Sequence, residues 1–237
     1  MEIARAAAAL FVQQGLRATR AEDIAQAAGI APRTFYRYFA TKEEAVAPLY
    51  AAGAQRWIEA VRTAPADLSV PQALEHAIRH TLTPGLGVSA ASWEWLRTLI
   101  RLADTSPALR KVWAEVCQAS EGALSEILSA REEAPAENAP AESTPGEPTP
   151  AEPAPAEPAP AEPAPAEPTP AELTPHLRFA AAVAGAAVRV AVESWAATTT
   201  RPTGPEGPAA LAVRNLRALR DFEWSTPENT REREPRE

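Results

Sequence analysis

The chain has a single cysteine, Cys117, so no disulfide framework holds it together, and a reducing, cytoplasmic location is expected. No run is long and apolar enough to be expected to cross a membrane, because Arg189 interrupts the Ala/Val-rich stretch 179–192. Met1 leads directly into a helical pattern, so no secretory leader is expected. No segment alternates apolar and polar residues in the manner of a strand, which excludes a β-rich fold. Glycine-rich phosphate loops, a Ser-His-Asp order and paired catalytic carboxylates are all missing, so neither an enzyme nor a cofactor is expected. His76 and His80 have the spacing of metal ligands on a helix, but no third ligand stands near them, so no metal site is expected.

Positive charge is in deficit, with a formal net charge of -8 over 237 residues. The excess acidity belongs to one segment. Residues 136–175 hold eight Glu and no Lys, Arg or Asp, and the remainder balances at 23 basic and 23 acidic residues. From Arg131 to Pro175 the chain is nine pentads with Glu second and Pro fifth: REEAP, AENAP, AESTP, GEPTP, three AEPAP, AEPTP and AELTP. Up to two prolines per unit remove backbone donors and bring ring clashes, so a helix is not expected. With almost nothing apolar beyond Ala and Leu173, the segment has no core to bury. A disordered, extended insertion over 131–175 is predicted, reaching roughly 120 Å if forty residues extend fully. It reads as a spacer, as a docking strip for a partner, or as a charged brush that repels DNA.

The rest of the sequence predicts an all-α fold. Helices are expected over about 2–14, 20–27, 32–38, 42–62 (bent at Pro48), 69–82, 89–103, 107–130, 175–197 and 208–224. Several have start signals: Ser69 with Gln72, Ser106-Pro107, Thr174-Pro175 and Gly207-Pro208. The repeat therefore falls between the seventh and eighth helices, where loop-closure cost rises only logarithmically with length. Residues 226–237 read as a disordered charged tail.

The most informative stretch is 19–44, TRAEDIAQAAGIAPRTFYRYFATKEE. Thr19 with Glu22 predicts a capping box, and Ile24, Ala25 and Ala28 an apolar stripe. Gly29 suits the left-handed residue that ends a helix, and Pro32 the first turn of the next. Phe35 and Phe39 share a buried face, leaving Arg33, Thr34, Arg37 and Tyr38 on or near the other side. Thr41 with Glu44 predicts a second capping box, opening a third helix. This is a helix-turn-helix whose second helix carries the donors that a DNA groove requires. Leu10, Phe11, Ile24, Phe35 and Phe39 are expected in the core.

These residues resemble the TetR family of bacterial transcriptional regulators. The likeness runs from about Ile3 to Lys42 through Ala9, Leu10, Phe11 and Gly15, then Thr19, Asp23 to Ala25, Ala28 to Ile30, and Thr34 to Phe39, and ends in Thr41 to Glu44. It implies a helix-turn-helix DNA-binding domain over 1–44 and a helical effector-binding and dimerisation domain over 45–225, the disordered repeat being inserted between helices seven and eight. Arg33 and Thr34 are then expected at base edges, with Thr19, Arg20, Tyr36, Arg37, Tyr38 and Lys42 at phosphates or the groove rim. Family members usually carry a basic arm before the first helix. Met1 and Glu2 stand where it would attach, so either arm contacts are absent or the chain starts further upstream. The net charge of residues 1–44 is only +1, so electrostatic affinity is expected to be modest.

The resemblance also implies an effector cavity among helices carrying Trp57, Trp93, Trp95 and Trp113. Trp57, Trp93, Leu96, Ile100, Trp113, Val116 and Phe179 are its candidate lining, with core packing as the other reading of each. Tryptophan walls suit an apolar or acyl ligand, and WEWLRTLIRLADTSPALR resembles a TetR subgroup associated with acyl-CoA-like effectors. Arg97 and Arg101 lie four apart, on a solvated face or placed for an anion. Ala180, Ala184, Ala187 and Ala191, with Gly185, Val188 and Val192, fit either a homodimer surface on the last two helices or packing within the chain. A homodimeric, effector-released repressor on an operator is the function expected. The alternative is an activator or interaction protein in which the Glu/Pro repeat recruits a partner.

Overall fold

Helix α1 (Glu2–Gln14) forms because Ala4, Ala7, Ala8 and Phe11 place a buried stripe along one face of an alanine-rich segment. Gly15, at φ +85°, turns the chain out of it. The computed structural model describes residues 1–85, 90–137 and 175–224, and among these every regular element is helical.

The helix-turn-helix follows with α2 (Ala21–Ala27) and α3 (Pro32–Tyr38). The cap of α2 lies one residue later than the sequence suggests: Arg20 is the N-cap, and its N–H donates to Asp23 Oδ2 at 2.8 Å. Thr19 is instead fully buried, donating its hydroxyl to the Gly15 carbonyl at 2.9 Å and accepting from Gln14 Nε2 at 3.2 Å. The carbonyl left open where α1 stops at Gly15 claims the hydroxyl. The end of α2 is as the sequence predicts. Gly29 sits at φ +68° and donates to the Gln26 carbonyl at 3.0 Å, and Ile30 reaches back to Ala25 at 2.9 Å. That Schellman closure fixes the angle at which α3 leaves. Phe35 is fully buried on α3, 5.5 Å from the half-buried Phe39.

The reading of one bent helix over 42–62 is corrected. Thr41 Oγ1 accepts from the Glu44 N–H at 3.3 Å and Glu44 Oε2 from the Ala40 N–H at 2.9 Å, but this cap opens only a 3-10 turn, Glu44–Val46. Helix α4 (Ala47–Arg62) starts afresh with Pro48 in its first turn. Proline has no N–H to donate, and its ring would strike the carbonyl four residues back, at Glu44.

Behind it come α5 (Val70–Leu82), α6 (Ala90–Thr105), α7 (Pro107–Glu137), α8 (Pro175–Ala197) and α9 (Pro208–Ala218). Ser69 with Gln72 caps α5, and Ser106 Oγ accepts from Leu109 N–H at 3.3 Å to open α7. Helix α7 overruns its expected end at Ala130, so the start of the Glu/Pro repeat is helical. The first pentad, REEAP, has one proline after four residues that helices accept. Arg131 also anchors this end, donating to the carbonyls of Ala64 at 2.9 Å, Pro65 at 2.8 Å and Leu68 at 3.1 Å in the α4–α5 turn. The remainder of the repeat, 138–174, and the tail, 226–237, lie outside the described residues. Helix α9 stops before the predicted Trp224, because the chain turns so that Phe222 stacks on His176 and packs edge-on to Trp224 and at a tilt against Phe179.

Helix α8 lies against α6, α7 and α9. At 23 residues and a mean hydropathy of 1.3 it is long and apolar enough to cross a membrane, which corrects the expectation that Arg189 prevents this. Arg189 pairs with Glu193 at 3.3 Å, and one such pair leaves the rest of the helix apolar. In the fold Ala180, Ala184, Ala191 and Trp195 are nearly fully buried within the chain. The small-residue stripe read as one of two alternatives therefore serves packing within the chain. Arg97 is buried and Arg101 exposed, and both close the C-terminal end of α8. Arg97 donates to the Thr200 carbonyl and lies 4.2 Å from the Trp195 ring centre, while Arg101 donates to Ala196 at 2.6 Å and Thr198 at 2.5 Å. Cationic donors on terminal carbonyls satisfy groups the helix leaves unpaired and oppose its dipole.

Candidate nucleic-acid interface and ligand cavity

The exposed side of α3 is basic and aromatic. Arg33, Tyr36, Arg37 and Tyr38 all face solvent, and Thr34 is half-buried at the first turn. Tyr36 and Tyr38 are 52% and 60% exposed, much more than folding alone requires of tyrosine. Arg37 donates to the Tyr38 hydroxyl at 3.2 Å and lies 5.0 Å from its ring centre, which orients both side chains. The Tyr36 hydroxyl donates to Glu22 at 3.3 Å, and Glu22 also stands 3.6 Å from exposed Arg20, linking α3 to the start of α2. Arg33 makes no ion pair with a described residue, so its guanidinium fork is available.

Two residues of the predicted contact set sit differently. Thr19 is buried and its hydroxyl engaged, so it supports the turn and is withdrawn from the surface. Lys42 is half-buried, and its ammonium donates to the carbonyls of Leu16 at 2.7 Å and Thr19 at 2.8 Å. Of its three donors, one remains for an outside acceptor. Lys42 thus ties the segment entering α4 to the loop between α1 and α2, a role that its position in the sequence does not signal.

A cavity of about 540 Å³ lies among α1, α4, α5, α6, α7 and α8. Of the predicted lining, Trp57 on α4, Trp93 and Leu96 on α6, and Trp113 and Val116 on α7 come together there, joined by Trp95 and Leu99. Ile100 does not join them: it is 1% exposed and turned into the core beside the face that carries Leu96 and Leu99. Phe179 is also outside, 60% exposed at the start of α8 and 5.6 Å from Phe222. The part of α8 that meets the cavity is Gly185, Val188, Arg189 and Val192, more than a turn further on.

Sequence reasoning missed the polar lining. Tyr50 donates to the Leu99 carbonyl at 3.2 Å and packs edge-on to Trp113 at 5.1 Å. Burial raises its phenol far above the usual range, so it is a neutral donor. Cys117 lines the wall, and burial pushes its thiol up to about 12, with Glu193 and Glu121 adding and Arg189 opposing. Burial likewise raises Glu121, against the pull of Arg189. Trp113 Nε1 donates to Glu193 at 2.7 Å. The spacing held a usable signal: Tyr50, Gly53 and Trp57 share a face of α4, and Trp113, Cys117 and Glu121 share a face of α7. Gly185 permits the close approach there, since a Cβ on it would lie 3.1 Å from Glu121 Cγ. At the mouth, the lining residues Met1, Arg5, Gly53 and Arg56 are all exposed, so the cavity opens between α1 and α4.

A helix-turn-helix with an exposed basic second helix, joined through α4 to a helical unit around a cavity, is the architecture of helix-turn-helix DNA-binding regulators. Residues 3–47 match the family described as bacterial regulatory proteins, tetR family. The HTH-type transcriptional regulator TcmR of Streptomyces glaucescens is 32% identical over 136 residues, 55% of this chain and 59% of that protein. The HTH-type transcriptional repressor KstR2 of Mycobacterium tuberculosis is 51% identical over 45 residues, 19% of this chain and 22% of that protein. The matched stretches thus span just over half of the first relative and about a fifth of the second. Thermus thermophilus FadR, a TetR family transcriptional repressor solved in complex with lauroyl-CoA, shares the fold with a TM-score of 0.54 at 20% identity, covering 95% of this chain and 96% of that one. The likeness to the tetR family of bacterial regulatory proteins is carried by the N-terminal residues 3–47.

Proposed function

We propose that this protein is a homodimeric DNA-binding repressor released from its operator by a small apolar or acyl-type effector, and that its role is binding rather than catalysis. The observation that carries this reading is the exposed Arg33, Tyr36, Arg37 and Tyr38 on α3, held by the Gly29 turn and joined through Lys42 and α4 to an aromatic cavity. Two such helices about 34 Å apart would enter successive major grooves of a near-palindromic site. Arg33 and Thr34 are assigned to base edges, and Arg20, Tyr36, Arg37, Tyr38 and Lys42 to phosphates or the groove rim.

The dimer is assigned to α8 and α9, but on another face than the buried alanine stripe. Phe179, 60% exposed, and Val190, 44% exposed, line up along the outside of α8 with half-buried Val183 and Ala186. An apolar row of that kind favours burial against a second copy. The acyl character of the effector rests on the tryptophan walls and on the fold shared with a repressor that holds lauroyl-CoA. Occupation of the cavity would favour a spacing of the α3 helices that no longer fits DNA, with a coupling of about 1–3 kcal/mol.

The test is binding of the purified protein to DNA upstream of its own gene, compared with random DNA, across a salt series and with an acyl-ligand panel. Specific, salt-dependent binding that a ligand abolishes is expected. Equal affinity for both DNAs would overturn the reading in favour of an interaction protein acting through the Glu/Pro repeat.

A further inference from the structure

The mouth of the cavity carries charge that the fold itself does not use. Arg5 on α1 and Arg56 on α4 both line it, both are exposed, and neither forms an ion pair or side-chain hydrogen bond with a described residue. Four other arginines of these helices are engaged: Arg97 and Arg101 on the end of α8, Arg131 on the α4–α5 turn, Arg189 on Glu193. Beyond the mouth the walls are Trp57, Trp93, Leu96, Trp113 and Val116, and the acidic lining residue, Glu121, lies on the α7–α8 side beside Arg189. An apolar chamber with two unpaired guanidinium groups at its opening complements one kind of ligand. That ligand has an apolar body and a single anionic end, carboxylate or phosphate, which a planar fork binds well.

We infer that the cavity binds an amphipathic anion with its apolar body inside and its charged head at Arg5 and Arg56, and that Arg5 transmits occupancy to the DNA-binding unit. The inference rests on the reading of this cavity as the effector site. Its mechanical part follows from where the two arginines stand. Arg56 belongs to α4, whereas Arg5 belongs to α1, which packs on α2, α4 and α6. A head group held by both draws α1 and α4 together across the opening. Helix α1 carries Ala7, Ala8 and Phe11 into the same core as Ile24 and Phe35, so its displacement moves α2 and α3. A neutral ligand of the same length fills the chamber but leaves α1 unheld.

The experiment uses the full chain and three probes with one apolar body: dodecanoate, dodecanoyl-CoA and 1-dodecanol. Tryptophan quenching reads binding, and displacement from DNA upstream of the protein's own gene reads coupling. At least one of the two anions is expected to bind about tenfold or more tighter than the alcohol, with the advantage shrinking toward 0.5 M salt. The better anion distinguishes a carboxylate head from a phosphate one. Arg5→Ala and Arg56→Ala should each weaken the anion about fivefold and leave the alcohol within twofold, since the mouth is exposed and each contact partly screened. Arg5→Ala should also hold DNA at saturating anion while binding DNA normally without it. If none of the probes quenches, the effector-cavity reading itself fails and this inference with it. If the alcohol binds as well as both anions, or if the two variants keep the anion preference, the cavity reading stands and the head-group assignment is overturned. If Arg5→Ala weakens the anion yet releases DNA normally at saturation, the transmission role is overturned.

Discussion

Replacing Lys42 by methionine should weaken the fold and the DNA contact through separable parts of one ammonium group. The substitution keeps an unbranched side chain of similar length and removes the charge and three donors. Two of those donors hold the carbonyls of Leu16 and Thr19 at 2.7 and 2.8 Å. A hydrogen bond involving a charged group contributes about 1.5–3 kcal/mol when well buried. Lys42 is only half-buried, and water can reach part of the site, so a total loss of about 1–2 kcal/mol is expected for the pair. Urea unfolding followed by circular dichroism measures it directly. The third donor is the one assigned to a phosphate. Each neutralised phosphate contributes about 0.9 to the slope of log K against log salt, and a dimer has two copies of Lys42, so the slope should become shallower by about 1.8. The loss of affinity should be alike on operator and random DNA, because phosphate contacts carry no sequence information. Unchanged stability would mean that the carbonyl contacts are incidental. An unchanged salt slope would mean that the remaining donor meets no phosphate.

Three further outcomes are expected. Arg33→Ala should cost about 1–3 kcal/mol on the specific site and relax base preference there, read by anisotropy titration on operator and random duplexes; equal losses on both would refute a base-edge role. Gly29→Ala should destabilise by about 1 kcal/mol through backbone strain alone, because φ is +68° and a Cβ would meet nothing within 4 Å; no change in thermal midpoint would show that the turn relaxes freely. Glu75 on α5 accepts from Arg79 at 2.6 Å and from Arg217 of α9 at 2.7 Å, and the Arg217 bond foremost lowers its carboxyl below the usual range. Its contribution is therefore present above the unfolded value of about 4.3 and is lost as pH falls through the lower folded value, so Glu75→Gln should flatten the fall in stability on the acid side of that value. An unaltered acid profile would remove the clamp.

Where local chemistry decides an element, the sequence was sufficient. The Gly29 turn, the first-turn prolines of α3, α7 and α9, and the Ser69–Gln72 cap are each determined within a few residues, and each is found as read. The misreadings occur where a local signal had two outlets. Thr19 was equally able to cap α2 or to bond backward to Gly15, and the open carbonyl at the end of α1 decided it. Thr41 with Glu44 forms a cap as expected, but what it opens was decided by Pro48, four residues on from Glu44. The end of α7 was set neither by propensity nor by the repeat alone, because Arg131 finds three carbonyls in a turn over sixty residues earlier in the chain.

Long-range polar pairing also explains why the candidate sites were legible only in part. A tryptophan at helical spacing is a fair guide to a cavity wall, since large rings need a large partner surface wherever they lie, and five of the seven expected lining residues do line it. An arginine carries no comparable guide. Arg97, Arg101, Arg131, Arg189, Arg5 and Arg56 are indistinguishable by local sequence, yet four of them satisfy backbone or carboxylate groups and two stand open at the cavity mouth. The difference is made by which carbonyls the fold leaves unpaired. The end of α8, where Thr198 Oγ1 already donates to the Trp195 carbonyl at 2.8 Å, also recruits cations from a neighbouring helix, because the last carbonyls of a helix lack partners within it. The arginines left over once those carbonyls are satisfied are the ones whose charge remains for a ligand or for DNA. By that reasoning Arg5 and Arg56 at the cavity and Arg33 on α3 are alike: each is a cation with no ion-pair partner among the described residues, placed where a partner from outside can reach it.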